Sequence, residues 1–275
     1  MRLGTALIEG APVPVVEVAG GLAPLPPFAG GLTAIIAAGP QLLEDLAGEA
    51  GEPVPEARLL APLRPGKVVA IGLNYLDHVR ETGLERPAAP LVFAKFASSI
   101  IGTDESICIP TSITQRVDWE VELAVVIGAR ARSVTAERAL EHVFGYTVAN
   151  DVSARDVQFA DGQWVRGKSL DTFCPLGPLV VTRDEVSDPQ QLGLRTRVNG
   201  ETMQDSSTAE MICGVADLIA HCSAGFTLEP GDLLLTGTPW GCGEFMSPIR
   251  SLQPGDIVET EIDHIGTLRN PVSAV

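Results

Sequence analysis

Glu120 and Glu122 stand two residues apart at the head of the apolar run Leu123-Ala-Val-Val-Ile127, and Asp151 closes a second run, Val143-Phe-Gly-Tyr-Thr-Val-Ala-Asn150. Side chains two apart on a strand share a face, so the pair brings two carboxylates together at a strand edge. Two arrangements satisfy that spacing. Both glutamates can face solvent, as carboxylates usually do. Alternatively they converge around a hard divalent cation such as Mg²⁺, whose preference for oxygen ligands relieves their repulsion.

His78 precedes Glu81 by three residues, a spacing that puts both on one face of a helix. A carboxylate beside an imidazole fixes its tautomer and raises its basicity, as a water-activating base requires. A surface His–Glu pair has the same spacing. His142, His221 and His264 lack such a neighbour and read as structural or surface residues. Lys168, in Trp164-Val-Arg-Gly-Lys-Ser169, is either a solvated loop charge or a cation that neutralises a carboxylate ligand or a developing enolate. Arg155 and Gln158 gain interest from their nearness to Asp151. The stretch Thr236-Gly-Thr-Pro-Trp-Gly-Cys-Gly243 is an ordinary turn or a place where backbone closely approaches a ligand.

These residues need a scaffold, and the chain has the length for one. Its 275 residues are 45% hydrophobic and 20% charged, a soluble globular composition with ample core. With aromatics at only 5%, much of that core falls to Val, Ile, Leu and Ala. A net charge of −16 with no Lys/Arg cluster argues against non-specific nucleic-acid binding, while leaving room for an anionic substrate in a locally cationic pocket. The five cysteines show no C-x-x-C spacing and read as small buried hydrophobes rather than a disulfide framework. The N-terminus does not read as a signal peptide, no apolar stretch is long enough to cross a bilayer, and the cytoplasm is the default address.

Residues 1–60 read as a small leading domain, with strands near 3–8 and 13–18 and a helix from Thr33 to Leu46. A connector carrying four prolines between Glu52 and Gly66 follows, extended because proline removes a donor and biases its predecessor away from helix. Residues 67–275 form the main body. Lys67–Gly72 reads as a buried strand and Leu76–Thr82 as a short helix that Asn74 is placed to cap. Beyond residue 91 come short strands broken by Gly, Pro and Asp turns, with helices near 135–143 and 208–222. The fold class is α+β and β-rich rather than doubly wound. Neither a dinucleotide-binding nor a P-loop glycine motif occurs.

Taken together, the motifs resemble the fumarylacetoacetate hydrolase family. They include Gly72-Leu-Asn-Tyr75 with His78 and Glu81, Val117-Asp-Trp-Glu-Val-Glu-Leu123, and Gly145 through Gln158. Gly167-Lys-Ser169, Asp171-Thr-Phe-Cys-Pro-Leu-Gly-Pro178, Asn199-Gly-Glu-Thr-Met-Gln204 and Gly231-Asp-Leu-Leu-Leu-Thr-Gly-Thr-Pro239 continue the pattern to about Asn270. The resemblance implies a mixed β-roll with a small N-terminal domain, and a homodimer. It implies Mg²⁺ or Mn²⁺ held by Glu120, Glu122 and Asp151, with His78 and Glu81 as the base dyad and Lys168 beside the metal. Tyr75, Arg155, Gln158 and Thr238 fall on the substrate side. Asp118 shares the glutamates' parity but lies outside the family's ligand pattern. Trp240 and Cys242 depart from that pattern, and an indole there is expected to reshape the pocket mouth. Lys95-Phe-Ala97 departs as well.

The function so implied is metal-dependent hydrolysis of a C–C bond in an acylpyruvate-type acid, through a stabilised enolate. Decarboxylation of oxaloacetate-like acids, or keto–enol and double-bond isomerisation, uses the same groups without an attacking water. A non-catalytic dimer that binds a small acid is the reading from another class.

Overall fold

The computed structural model describes residues 1–55 and 57–275. Its frame is an 11-stranded mixed sheet, in which strand Val121–Ile127 lies between Val143–Asn150 and Leu233–Leu235. That central strand is buried on both faces, which is why its sequence reads as an unbroken apolar run. Val121, Leu123, Val125 and Ile127 pack into one core with helix Val215–Gly225, while Ala124 and Val126 point into another. By the same alternation Glu122 lies on the Ala124 side.

A second sheet of five strands runs Glu201–Ser207, Gly193–Val198, Ile257–Ile262, Gly266–Ala274 and Ile107–Ile109. Leu194, Ile262 and Leu268 from it complete the first core, which makes the body strand-rich and mixed, with helices filling gaps between sheets. No helix among the described residues is long and apolar enough to cross a membrane.

The leading segment is annexed to the main sheet. Strand Arg2–Ile8 pairs antiparallel with Cys174–Thr182, and Arg58–Leu60 pairs with Arg2–Ile8 in turn. The helix expected from Thr33 to Leu46 is two helices, Gly31–Ala38 and Pro40–Gly48. Proline at position 40 has no N–H for the preceding turn and starts a new helix instead. Leu32, Ile35, Ile36 and Leu43 seat both pieces on the second core.

Near the site the expected short helix, Leu76–Thr82, is present, but Tyr75 occupies the capping position. Asn74 instead accepts from the Cys213 amide at 3.0 Å and donates to the carbonyls of Thr236 and Cys213 at 2.8 and 3.0 Å. It pins the segment entering the helix to the strand end that carries Thr236-Gly237-Thr238. The region expected to be helical from 208 to 222 forms a proper helix only over Val215–Gly225. Two short helices, Arg155–Asp161 and Val165–Lys168, occupy what read as loop.

Candidate active site

Strand register brings the three carboxylates together. Val121 pairs with Asn150, and one step beyond the ladder the Asp151 amide donates to the Glu120 carbonyl at 2.8 Å. Asp151 therefore emerges opposite Glu120, with Glu122 two residues along the same strand. Carboxylate oxygens of Glu120, Glu122 and Asp151 lie within 4.8 Å of one another, and all three residues are buried. Of the two arrangements open to the E-x-E spacing, the convergent one is present.

Three cations answer them. Lys168 Nζ donates to Glu120 Oε2 at 2.6 Å and to Asp151 Oδ2 at 2.8 Å. Lys95 Nζ donates to Asp151 Oδ1 at 2.5 Å. Arg155 Nη2 sits 2.7 Å from Glu120 Oε1 and 2.7 Å from Asp118 Oδ2. Asp118 also accepts from the amides of Trp119, Gly243 and Glu244 at 2.9, 2.8 and 3.2 Å, so it anchors a loop and stands outside the ligand set.

The charges do not close. Four buried carboxylates face three buried cations, and Glu122 is the one without a cationic partner, its Oε2 accepting only the Gly237 amide at 2.8 Å. Burial, with repulsion from Asp151 and Glu120, raises its pKa well above the ordinary carboxyl range. Burial acts the same way on Glu120, but Lys168 and Arg155 outweigh it and bring that group down to about 2. Lys168 is also pulled two ways: burial disfavours its charge, but Asp151 and Glu120 raise its pKa, so it remains an ammonium. An all-oxygen set with one surplus negative charge fits a hard divalent cation, and Glu120, Glu122 and Asp151 are the residues that would hold it.

Helix Leu76–Thr82 supplies the proton-handling pair. His78 Nδ1 lies 2.8 Å from Glu81 Oε2, both on the predicted face. Glu81 Oε1 accepts the Gly241 amide at 2.7 Å, which fixes the carboxylate from its far side. With Nδ1 engaged, Nε2 is the ring atom left for chemistry. Phe245 meets the imidazole edge-on, with centroids 5.5 Å apart, and Arg155 lies over the same phenyl ring at 5.9 Å.

His78, Glu120, Glu122, Arg155, Gln158, Lys168 and Thr238 all line one cavity of about 80 Å³, closed by Ile71, Leu73, Phe93, Trp164 and Phe245. Gln158 accepts from Arg155 Nη1 at 3.1 Å, and Thr238 Oγ1 accepts from Gln204 at 2.9 Å. Tyr75 is not on that wall. Expected on the substrate side, it is fully buried in the core beside Glu122, where burial raises its phenol pKa. Lys168 ends a helix rather than riding a loop. That helix packs tightly on its predecessor at Gly167, where a Cβ would stand 2.7 Å from the Gln158 nitrogen.

Trp240, expected to reshape the pocket mouth, is not among the residues lining this cavity. Its indole is 46% exposed and donates to the Asp205 carbonyl at 3.2 Å, and Phe245 from the same loop forms the cavity wall instead. Lys95 was the functional neighbour missed. In Leu91–Lys95 only Phe93 and Lys95 are buried, so strand parity with an aromatic was the available signal.

Residues 67–273 match the family model described as fumarylacetoacetate (FAA) hydrolase, C-terminal. The chain is 51% identical over 217 residues to a mitochondrial oxaloacetate tautomerase of Xenopus laevis, covering 78% of this chain and 68% of that one. Among solved structures, a fumarylacetoacetate hydrolase from Exiguobacterium antarcticum superposes with a TM-score of 0.92 at 40% identity over the whole of both chains. A 5-carboxymethyl-2-hydroxymuconate delta-isomerase from Mycobacterium smegmatis does so with a TM-score of 0.82 at 38% identity, also over 100% of each.

Proposed function

The chain belongs to the fumarylacetoacetate hydrolase family of enzymes, and from that premise we propose that it interconverts the keto and enol forms of a small 2-oxo dicarboxylic acid of the oxaloacetate type. The observation that carries this reading is the His78–Glu81 pair, whose imidazole lines a cationic, carboxylate-lined cavity. Similarity to a tautomerase and to an isomerase supports it over C–C cleavage.

The residues divide the work by their protonation. His78 Nε2, an acceptor while Glu81 accepts from Nδ1–H, takes the proton from C3 of the keto acid and delivers it to the C2 oxygen of the enolate; the reverse direction moves it from the enol oxygen back to C3. Glu81 stabilises the imidazolium formed in between, and its own orientation is set by the Gly241 amide. Lys168, kept as an ammonium, cannot serve as the base; its charge and N–H groups stabilise the enolate oxygen. Arg155, held by Asp118 and Glu120, adds positive potential without moving. Phe93, Trp164 and Phe245 keep bulk water from the reacting carbon. Glu120, Glu122 and Asp151 would hold Mg²⁺ or Mn²⁺, which when bound would supply Lewis-acid stabilisation of the enolate.

A second reading, hydrolysis of an acylpyruvate-type C–C bond, is favoured by the same dyad, since a base placed this way can also activate water. The homodimer belongs to the proposal too, supported by the edge strand Leu91–Lys95, where Leu91, Val92 and the following Phe96 are exposed.

The test supplies the enol of oxaloacetate with Mg²⁺ or Mn²⁺ and follows loss of its ultraviolet band, alongside CO₂ release and acid release from acylpyruvates. Accelerated enol loss with the C₄ acid intact is expected. Cleaved acid or CO₂ outpacing tautomerisation would assign the site to hydrolysis or decarboxylation.

A further inference from the structure

Cys242 lies beside the dyad, and the proposed function does not use it. It is fully buried, and its thiol lies 3.9 Å from both the Pro239 carbonyl and Gln204 Nε2. Its sulfur, a ring nitrogen of His78 and a carboxylate oxygen of Glu81 all lie within 4.8 Å of one another. The Gly241–Glu81 hydrogen bond, 2.7 Å long, ties the cysteine's own loop to the helix carrying the other two.

We propose that His78, Glu81 and Cys242 form a second metal site, selective for a thiophilic divalent cation such as Zn²⁺, and that filling it silences the dyad. The donor chemistry separates this site from its neighbour. Three oxygens suit Mg²⁺ or Mn²⁺, whereas one nitrogen, one oxygen and one sulfur suit zinc. Ligands about 2.0–2.3 Å from a tetrahedral zinc stand about 3.3–3.6 Å from each other. The 2.8 Å His78–Glu81 contact would open slightly and the thiol draw in, movements within reach of side-chain rotation.

The balance of protons explains the inhibition. On binding, the Cys242 thiol releases its proton to solvent and ligates as thiolate. Coordination through Nε2 consumes the lone pair that would accept the substrate's proton. Coordination through Nδ1 leaves the ring proton on Nε2, with the same result. Burial raises the free thiol's pKa well above its usual value, so without a metal it is neither nucleophile nor thiolate.

The inhibitory half of this inference rests on His78 being the base; the site itself does not. Co²⁺, followed by its thiolate charge-transfer band, and Zn²⁺, followed by inhibition of the Mg²⁺-loaded enzyme, read the two halves separately. Wild type is compared with Cys242→Ser and Cys242→Val, each against its own zinc-free rate and with folding checked by circular dichroism. Loss of even a supporting partner weakens metal affinity about 10–100-fold, so the variants are expected to lack the band and need at least about tenfold more zinc. No band in wild type, or an equal band in the variants, overturns the site; equal inhibition of wild type and variants by zinc overturns the silencing through Cys242. A band that requires Cys242, with full activity in zinc-filled enzyme, upholds the site and overturns His78 as the base.

Discussion

Lys95 Nζ lies 2.5 Å from Asp151 Oδ1, and neither side chain has any exposed surface. The same ammonium donates to the Val152 carbonyl at 3.3 Å and to the Lys168 carbonyl. One buried lysine therefore holds a carboxylate of the site and the end of the helix that presents Lys168. Removing one partner of a buried ion pair leaves the other charged and unpaired, which destabilises by about 3–5 kcal/mol. Asp151 keeps Lys168 at 2.8 Å, so Lys95→Met is expected to lose stability toward the lower end of that range in urea unfolding, and saturating Mg²⁺ to restore part of it by neutralising Asp151.

Glu122 and Glu120 make opposite contributions to stability against pH. A carboxyl with a raised folded pKa binds its proton more tightly folded than unfolded. Stability then falls as pH rises from the unfolded value, about 4.3, toward the folded one. That is Glu122, raised by burial and by Asp151 and Glu120. Glu120, brought down to about 2 by Lys168 and Arg155 against burial, stabilises above about 4.3 and loses that contribution as pH falls toward 2. In metal-free protein, Glu122→Gln should remove the falling limb, making the variant more stable than wild type at neutral pH while weakening its Mg²⁺ binding. Unfolding curves across pH, with and without Mg²⁺, measure both.

His78→Asn should lower kcat about 10²–10⁴-fold, the usual worth of a positioned acid–base group, with KM little changed. Glu81→Gln should move kcat in the same direction by less, since the amide oxygen can still accept from Nδ1–H. Steady-state enol loss for the two variants checks this. A KM effect alone would make the pair a binding element.

At Gly167 an added methyl would press on the Gln158 backbone, 2.7 Å from its nitrogen and 2.9 Å from its Cα. Gly167→Ala should cost about 1–3 kcal/mol, the range for overpacking, and displace Lys168 from Glu120 and Asp151. Thermal unfolding and kcat should therefore fall together.

The strand body and the convergent carboxylates were legible because both depend on period-two alternation, which a register as simple as Val121 opposite Asn150 converts directly into geometry. The His78–Glu81 pair was legible for the parallel reason on a helix. Other features depend on contacts distant in sequence. Nothing local to Lys168 shows that helix Val165–Lys168 packs on Arg155–Asp161. Asn74 looks like a helix cap, but its amide finds partners 139 and 162 residues away. Trp240 and Phe245 ride one loop, and which ring turns inward depends on Gly241 and Gly243 docking on Glu81 and Asp118.

The proposed function requires that Glu120, Glu122 and Asp151 hold one divalent cation beside His78. Mn²⁺ titrated into chelator-treated protein, with calorimetric binding and enol loss read on the same samples, tests this most directly. The expected result is one ion per chain, a rate that rises in step with occupancy, and loss of both in Asp151→Asn. A full rate in the chelator-treated enzyme, or Mn²⁺ binding unchanged by Asp151→Asn, would contradict it.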